Sequence, residues 1–275
     1  MSVERVFCLC DNLVPSGSGY WGEHGLSFYI ESGGLRILFD TGQSGDVLLH
    51  NARLSGVSLS GLDYIVLSHG HYDHTGGLMK VIGLNEGIPL IMHPAAFQEK
   101  FARRGGELKA IGLPFMRDEL EVRCELRVEA GPIDLGGGVY TTGEIERITP
   151  YEMPQPDLLV ESEGTLSPDP MADDQSLVIR DGDSLVLLCG CCHAGIVNTI
   201  ECVKRQYGMY PGIIAGGLHM EKASPGRLLS TLGMLKSSGV KKVIAGHCSG
   251  DSIVSSLASA GMDAKRLSAG MPIIP

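Results

Sequence analysis

Short apolar runs separated by glycine-rich and charged turns set the rhythm of this chain. Residues 5–10, 26–31 and 35–39 are bursts of apolar and β-branched side chains of strand length. Asp40-Thr41-Gly42 closes the third as a turn. A helix is expected over 46–53, and Tyr64-Ile65-Val66-Leu67 reads as a strand that stops at Ser68-His69-Gly70-His71. A further helix is expected from Thr75 to Ile82, a strand over 89–93 and a helix over 95–103.

Two stretches break this rhythm. Residues 104–135 are charged and irregular, and 149–173 carry five prolines with little periodicity. Both read as insertions or as covers over a site. Residues 176–180 and 184–189 then form an expected hairpin around Asp181-Gly182-Asp183. Strand–helix alternation resumes to about Leu257, which implies an α/β layered protein. There is no short repeat and no low-complexity tract. Layered α/β folds reach ~250 residues as one unit, so residues 1–275 are expected to form a single domain.

Composition narrows the options. Hydrophobic residues make up 43% and aromatics only 5%, so the core must be aliphatic, with close packing through some of the 38 glycines. The net charge is −10 and no Lys/Arg cluster exists, which argues against nucleic acid or a membrane as partner. A small anionic substrate stays open, because a bound metal supplies local positive charge. No apolar run approaches the ~18 residues of a membrane span, and the first residues do not resemble a signal peptide. The eight cysteines are therefore expected to be reduced thiols in a soluble, cytoplasmic protein, with homo-oligomerisation left open. No Cys-x-x-Cys occurs, which disfavours an iron–sulfur cluster.

The chemistry concentrates where strands end. Apolar runs stop shortly before His69, His193, His219 and His247, each with glycine nearby and a helical pattern after it. Ligands of open α/β sheets bind beyond the carboxyl ends of strands, so these four histidines are candidates to converge on one rim. In His69-Gly70-His71-Tyr72-Asp73-His74, alternation along an extended segment would aim His69, His71 and Asp73 together and His74 elsewhere. That suits two ions, one gripped by His69 and His71 and the other by Asp73 and His74. Imidazole and carboxylate are good zinc ligands, with iron or manganese also chemically acceptable. Two ions ~3.5–4 Å apart stabilise a developing oxyanion and lower the pKa of a bound water to ~7. Asp40 is a candidate to orient a ligand histidine, or else an Asx turn. Asp11, Asn12 and His24 are candidate substrate contacts, with turn or bracing roles open for the first two. His93 and His50 read as structural.

The segment Ser68-His69-Gly70-His71-Tyr72-Asp73-His74-Thr75-Gly76-Gly77 resembles the metal motif of the metallo-β-lactamase superfamily. The resemblance extends over essentially the whole chain and implies an αββα sandwich with the metals at one edge. Asp11-Asn12, Glu23-His24-Gly25-Leu26-Ser27, Leu38-Phe39-Asp40-Thr41-Gly42, Gly190-Cys191-Cys192-His193-Ala194-Gly195-Ile196, Gly216-Gly217-Leu218-His219 and Gly246-His247-Cys248 are similar to one subfamily. Its members are commonly labelled 7,8-dihydropterin-6-methyl-4-(β-D-ribofuranosyl)aminobenzene-5'-phosphate synthase. The resemblance implies that His69, His71 and His193 bind one metal and Asp73, His74 and His247 the other. It puts His219 beside the site as ligand, substrate contact or catalytic group, with Asp73 also catalytic.

The chain departs from the superfamily pattern at two points. Gly143-Glu144 stands nearest the usual Gly-His, and Gly190-Cys191 replaces the usual Gly-Asp with its bridging carboxylate. Glu144 is thereby a candidate ligand or brace. Cys191 is either a thiolate ligand or, the favoured reading, a small buried residue. The functions implied are a hydrolase of an ester, lactone or phosphoester and, as alternative, a transferase joining a dihydropterin methyl diphosphate to a ribosyl-aminobenzene phosphate. A redox di-iron enzyme ranks lower, because such members carry Glu where His71 stands. A metal-stabilised binding protein without turnover is a fourth reading.

Overall fold

A computed structural model describes residues 3–274. Two seven-stranded sheets and one four-stranded sheet account for the strands. The first large sheet runs in the order Pro272–Ile274, Val3–Cys10, Ser27–Ser32, Leu35–Phe39, Tyr64–Val66, Pro89–Met92, Glu125–Val128. The second runs Asp263–Arg266, Lys242–Gly246, Ile213–Gly217, Ser184–Cys189, Ser176–Asp181, Val139–Thr141, Asp134–Gly136.

Strand alternation builds the layers. In Val3–Cys10, Val6 and Cys8 face a core shared with Ile179, Val186 and Ile244 of the second sheet. Phe7 and Leu9, one residue out of phase, face the helices Asp46–Leu54 and Leu78–Ile82 through Leu48, Ala52 and Val81. The second sheet turns Val178, Leu187 and Ile214 toward the helices Ile196–Tyr207, Pro225–Ser237 and Asp251–Ser259. The result is helix, sheet, sheet, helix: the αββα sandwich the resemblance implies.

Each large sheet is antiparallel on one side and parallel on the other. Leu35–Phe39, Tyr64–Val66 and Pro89–Met92 are parallel neighbours. So are Ser184–Cys189, Ile213–Gly217 and Lys242–Gly246. Parallel strands deliver their carboxyl ends to one rim, which is where the predicted histidines follow.

Four expectations need correction. The helix expected from Thr75 to Ile82 is two helices, Tyr72–Thr75 and Leu78–Ile82. The interruption is steric: a Cβ on Gly76 would overlap the Gln43 carbonyl oxygen, and one on Gly77 the Thr41 carbonyl oxygen. The helix expected over 95–103 is a short 3₁₀ turn, Pro94–Phe97, followed by the strand Lys100–Arg104. The stretch 104–135 holds Glu107–Ala110, Arg117–Glu121 and Glu125–Val128, whose exposed charged residues masked them. The proline-rich 149–173 holds a hairpin, Leu158–Ser162 and Thr165–Pro168, turning at Glu163-Gly164 with both φ positive (51° and 74°). Pro168 is tolerated because its strand is an edge. The small sheet runs Thr165–Pro168, Leu158–Ser162, Lys100–Arg104, Glu107–Ala110 and joins the two irregular stretches into one wall.

Candidate metal centre

The loop beyond Tyr64–Val66 carries His69 and His71, and the helical turn Tyr72–Thr75 carries Asp73 and His74. Extended backbone lasts only to His71 (φ −74°, ψ 144°), so a helical turn, rather than strand alternation, sets the direction of Asp73. His69 Nε2 lies 3.0 Å from His71 Nδ1. The His193 ring, reached by the turn after Ser184–Cys189, stands 4.9 Å from both rings, centroid to centroid. His74 Nε2 lies 3.2 Å from His247 Nε2, and Asp73 Oδ2 is 3.6 Å and 3.3 Å from those two nitrogens. The Cys191 sulfur sits between the two groups, 3.2 Å from His74 Nε2. Its Sγ forms one compact set with His69 and His193 and a second with His74 and His247, ligand atoms within 4.8 Å of one another in each. His219 is next to His193 at 4.3 Å between centroids, and with Cys191 and Cys248 makes a third such set.

This donor set fits cations. A tetrahedral ion with ~2.0–2.1 Å bonds to nitrogen has ligand–ligand edges of ~3.3–3.4 Å, close to the 3.0 and 3.2 Å separations between facing imidazoles. Facing lone pairs at that distance need a proton or a cation between them. His193 Nε2 is buried with no hydrogen-bond partner, an arrangement that ordinary packing avoids.

Burial keeps three of the imidazoles neutral and ready to donate. Burial, reinforced by the neighbouring histidines, holds His69 and His193 well below the usual histidine range. Burial also brings His71 down to about 4. For Asp73, burial alone would raise the pKa, but His74 and His247 reverse this and hold its carboxyl below the usual range. Burial would likewise lower His247, yet Asp73 and Cys248 beside it raise it to about 9.

Behind these donors stands a set of braces. Asp40, fully buried, accepts from Ser68 N and Ser68 Oγ and meets His74 Nδ1, each at 2.7 Å. That leaves His74 Nε2 free to face the site. Ser68 Oγ also meets His69 Nδ1 at 2.8 Å. Asn12 Oδ1 is 3.0 Å from His247 Nδ1. Gly190 lets the two sheets close on each other here, since a Cβ would overlap the Ser68 side chain. Asp40, Cys192, His219 and His247 all have positive φ (60°, 60°, 48° and 52°), backbone strain gathered at one rim.

Sequence reasoning assigned some residues differently. Asp11, left open between substrate contact, brace and turn, is wholly buried and takes the bracing role: its carboxylate accepts from His247 N and Leu13 N at 3.0 and 2.9 Å. Burial, partly offset by these bonds, raises it to about 6. Glu144 faces His93 at 3.8 Å, is more than half exposed and joins none of the compact donor sets. His24 lines the cavity with its Nε2 at 3.3 Å from Asp73 Oδ2. His93 caps the 3₁₀ turn and His50 stacks on Trp21, both structural positions.

Other braces were missed. Asp173 Oδ2 accepts from Gly70 N at 2.8 Å, Asp174 Oδ2 from Ala194 N at 2.8 Å, and Gln175 Nε2 donates to Leu67 O at 2.9 Å. One short segment thus grips both histidine loops. Lys100 Nζ, fully buried, donates to Asp169 Oδ2 and Asp173 Oδ1 at 2.7 and 2.9 Å. Arg147 donates to His193 O at 2.9 Å. Glu152 accepts from Val197 N and Asn198 N at the start of helix Ile196–Tyr207. The only signal for these in the sequence was the triplet Asp173-Asp174-Gln175 directly before an apolar strand.

A cavity of about 550 Å³ opens over the cluster. Its lining includes His71, Asp73, Cys191, His193, His219 and His247 below, and Ala102, Arg104 and Leu158 of the small sheet above.

Comparisons with known proteins agree with this architecture. Residues 20–192 match the family model for the metallo-beta-lactamase superfamily. The chain is 34% identical over 257 residues, 90% of its length and 87% of the relative's, to 7,8-dihydropterin-6-methyl-4-(beta-D-ribofuranosyl)-aminobenzene-5'-phosphate synthase of Methanocaldococcus jannaschii. An uncharacterized protein of the same organism is 32% identical, covering 84% of this chain and 86% of its own. A crystal structure described as a metal-dependent hydrolase of the beta-lactamase superfamily superposes with a TM-score of 0.84 at 28% identity, covering 98% of both chains. A metallo-beta-lactamase fold protein from Bacillus subtilis gives 0.59 at 12% identity over 98% of both, a likeness of fold. Among the described residues no helix is long and apolar enough to cross a membrane. The αββα layers, the histidine-bearing strand ends and these full-length similarities together make this chain an enzyme that belongs to the metallo-beta-lactamase superfamily.

Proposed function

We propose that the chain uses a dinuclear metal centre, with zinc as the expected metal, to break a phosphate-type or ester bond in a small anionic molecule. The carrying observation is that the His69–His193 and His74–His247 donor sets meet at the Cys191 sulfur beneath one cavity. His69, His71 and His193 would hold one ion and Asp73, His74 and His247 the other. Cys191 would serve both as a thiolate where the superfamily places a carboxylate. When bound, such ions act as Lewis acids toward substrate oxygen and activate water.

The chain's own residues complete the machinery. Asp40, Ser68 and Asn12 fix the ring orientation of His74, His69 and His247 through their outer nitrogens. His219 lines the cavity half-buried. It would donate a proton to the departing oxygen. His24 and Asp73, 3.3 Å apart in the cavity lining, would orient the attacking group.

A second reading is favoured by the 34% identity to the synthase over most of both chains. In it the leaving group is diphosphate from a dihydropterin methyl diphosphate, and the acceptor is a ribofuranosyl-aminobenzene phosphate instead of water. Product analysis separates the two. Free phosphate or alcohol from an ester and phosphoester panel marks hydrolysis; diphosphate with a coupled pterin marks transfer. Under either reading His71→Ala and Asp73→Ala abolish activity and lower the metal content measured by mass spectrometry. Wild-type stoichiometry in these variants would remove the assignment.

A further inference from the structure

The cavity has a second wall of different chemistry. Alternate residues of a strand share a face, so Lys100, Ala102 and Arg104 lie along one side of Lys100–Arg104. Lys100 is locked behind the metal loop through Asp173, which holds Gly70 N. Ala102 is buried against the cavity, and Arg104 is exposed at its rim. At ~3.3 Å per residue, Arg104 stands about 13 Å along the strand from Lys100.

Arg104 and Lys222 are the cavity's only lysine or arginine residues among those described. The arginines paired with carboxylates are Arg117, Arg123, Arg127, Arg205 and Arg266; Arg104 is not one of them. Lys222, just past His219, holds Asp157 only loosely at 3.6 Å and is mostly exposed. In a chain of net charge −10, Arg104 is the guanidinium that lines the candidate site without a carboxylate partner, and it favours an anion there.

Resting on the function proposed above, we propose that Arg104 and Lys222 form an anion subsite for a substrate phosphate at the exposed rim of the cavity, separate from the metal-binding donors. The guanidinium forks onto two phosphate oxygens, and the ammonium adds a point charge. Because Asp157 competes for Lys222, Arg104 carries most of the recognition.

Calorimetric titration of the metal-loaded protein with phenylphosphonate, whose C–P bond resists hydrolysis, tests this. Arg104→Gln is expected to weaken binding at least about tenfold, the loss of a charge-assisted hydrogen bond. Lys222→Gln weakens it less, and the double variant abolishes it. His71→Ala retains it. The proposal is overturned if wild type does not bind, if the double variant binds like wild type, or if only His71→Ala loses binding, which would place the phosphonate on the metal. Metal content measured in the same samples separates the two ideas. A wild-type protein lacking stoichiometric metal speaks against the proposed centre, while the Arg104 comparison still reads the subsite.

Discussion

Replacing Lys100 with methionine removes one buried cation and leaves two buried carboxylates facing each other. The Lys100 side chain is 0% exposed, and its partners Asp169 and Asp173 are 1% and 0% exposed. Burial alone would lower the Lys100 pKa, but Asp173 and Asp169 outweigh it and raise it. A raised lysine contributes stability that is complete below its ordinary value near ~10.4 and lost as pH rises through the folded value. The network therefore operates in full at neutral pH. Removing one partner of a buried ion pair costs about 3–5 kcal/mol, a large share of the 5–15 kcal/mol typical of a folded domain. Methionine is close in volume, so little of the loss is cavity. Urea unfolding of metal-stripped protein with linear extrapolation measures it; stripping keeps metal binding from adding its own stabilisation. Adding Asp169→Asn and Asp173→Asn to Lys100→Met removes the uncompensated charge and should return much of the loss. A cost below about 1 kcal/mol, the level of an exposed pair, would refute the reasoning.

Two further predictions concern the same loops. Gly76→Ala forces a Cβ onto the Gln43 carbonyl and is expected to cost at least the ~1–3 kcal/mol of overpacking and to lower metal content, whereas Gly83→Ala, with its nearest atom at 3.4 Å, is tolerated; equal melting temperatures for the two variants would contradict this. His69, His71 and His193 are depressed by burial, so the stability they contribute is present above pH 6.5 and lost as pH falls through their folded values, about 4 for His71. Protons then compete with metal over this range, and dialysed protein should keep its metal at pH 6.5 and release it as pH approaches 4; retention well below the His71 value would count against these ligands.

The histidine loops illustrate how far a local pattern reaches. Apolar runs ending in Gly and His announced the strands Tyr64–Val66, Ser184–Cys189, Ile213–Gly217 and Lys242–Gly246, because a buried parallel strand has to be apolar throughout and must stop where a polar turn begins. The small sheet was illegible for the opposite reason. Glu107–Ala110 and Thr165–Pro168 are exposed at every position, so burial imposes no alternation on them. Asp11 stayed between substrate contact and brace because a carboxylate near a strand end looks alike in sequence whether it meets solvent or a backbone amide 236 residues away.

Local sequence was enough for the layered α/β class and for the rim on which the histidines gather, since both follow from burial and turn chemistry within a few residues; the grouping of candidate donors into two sets came from the family resemblance. What lies between and behind those candidate donors depends on segments far apart in the chain. Cys191 meeting His74, Lys100 meeting Asp173, and Arg104 standing over the cavity are contacts across 117, 73 and several folded elements of chain. Such pairings depend on how sheets and loops stack, and no local propensity encodes that.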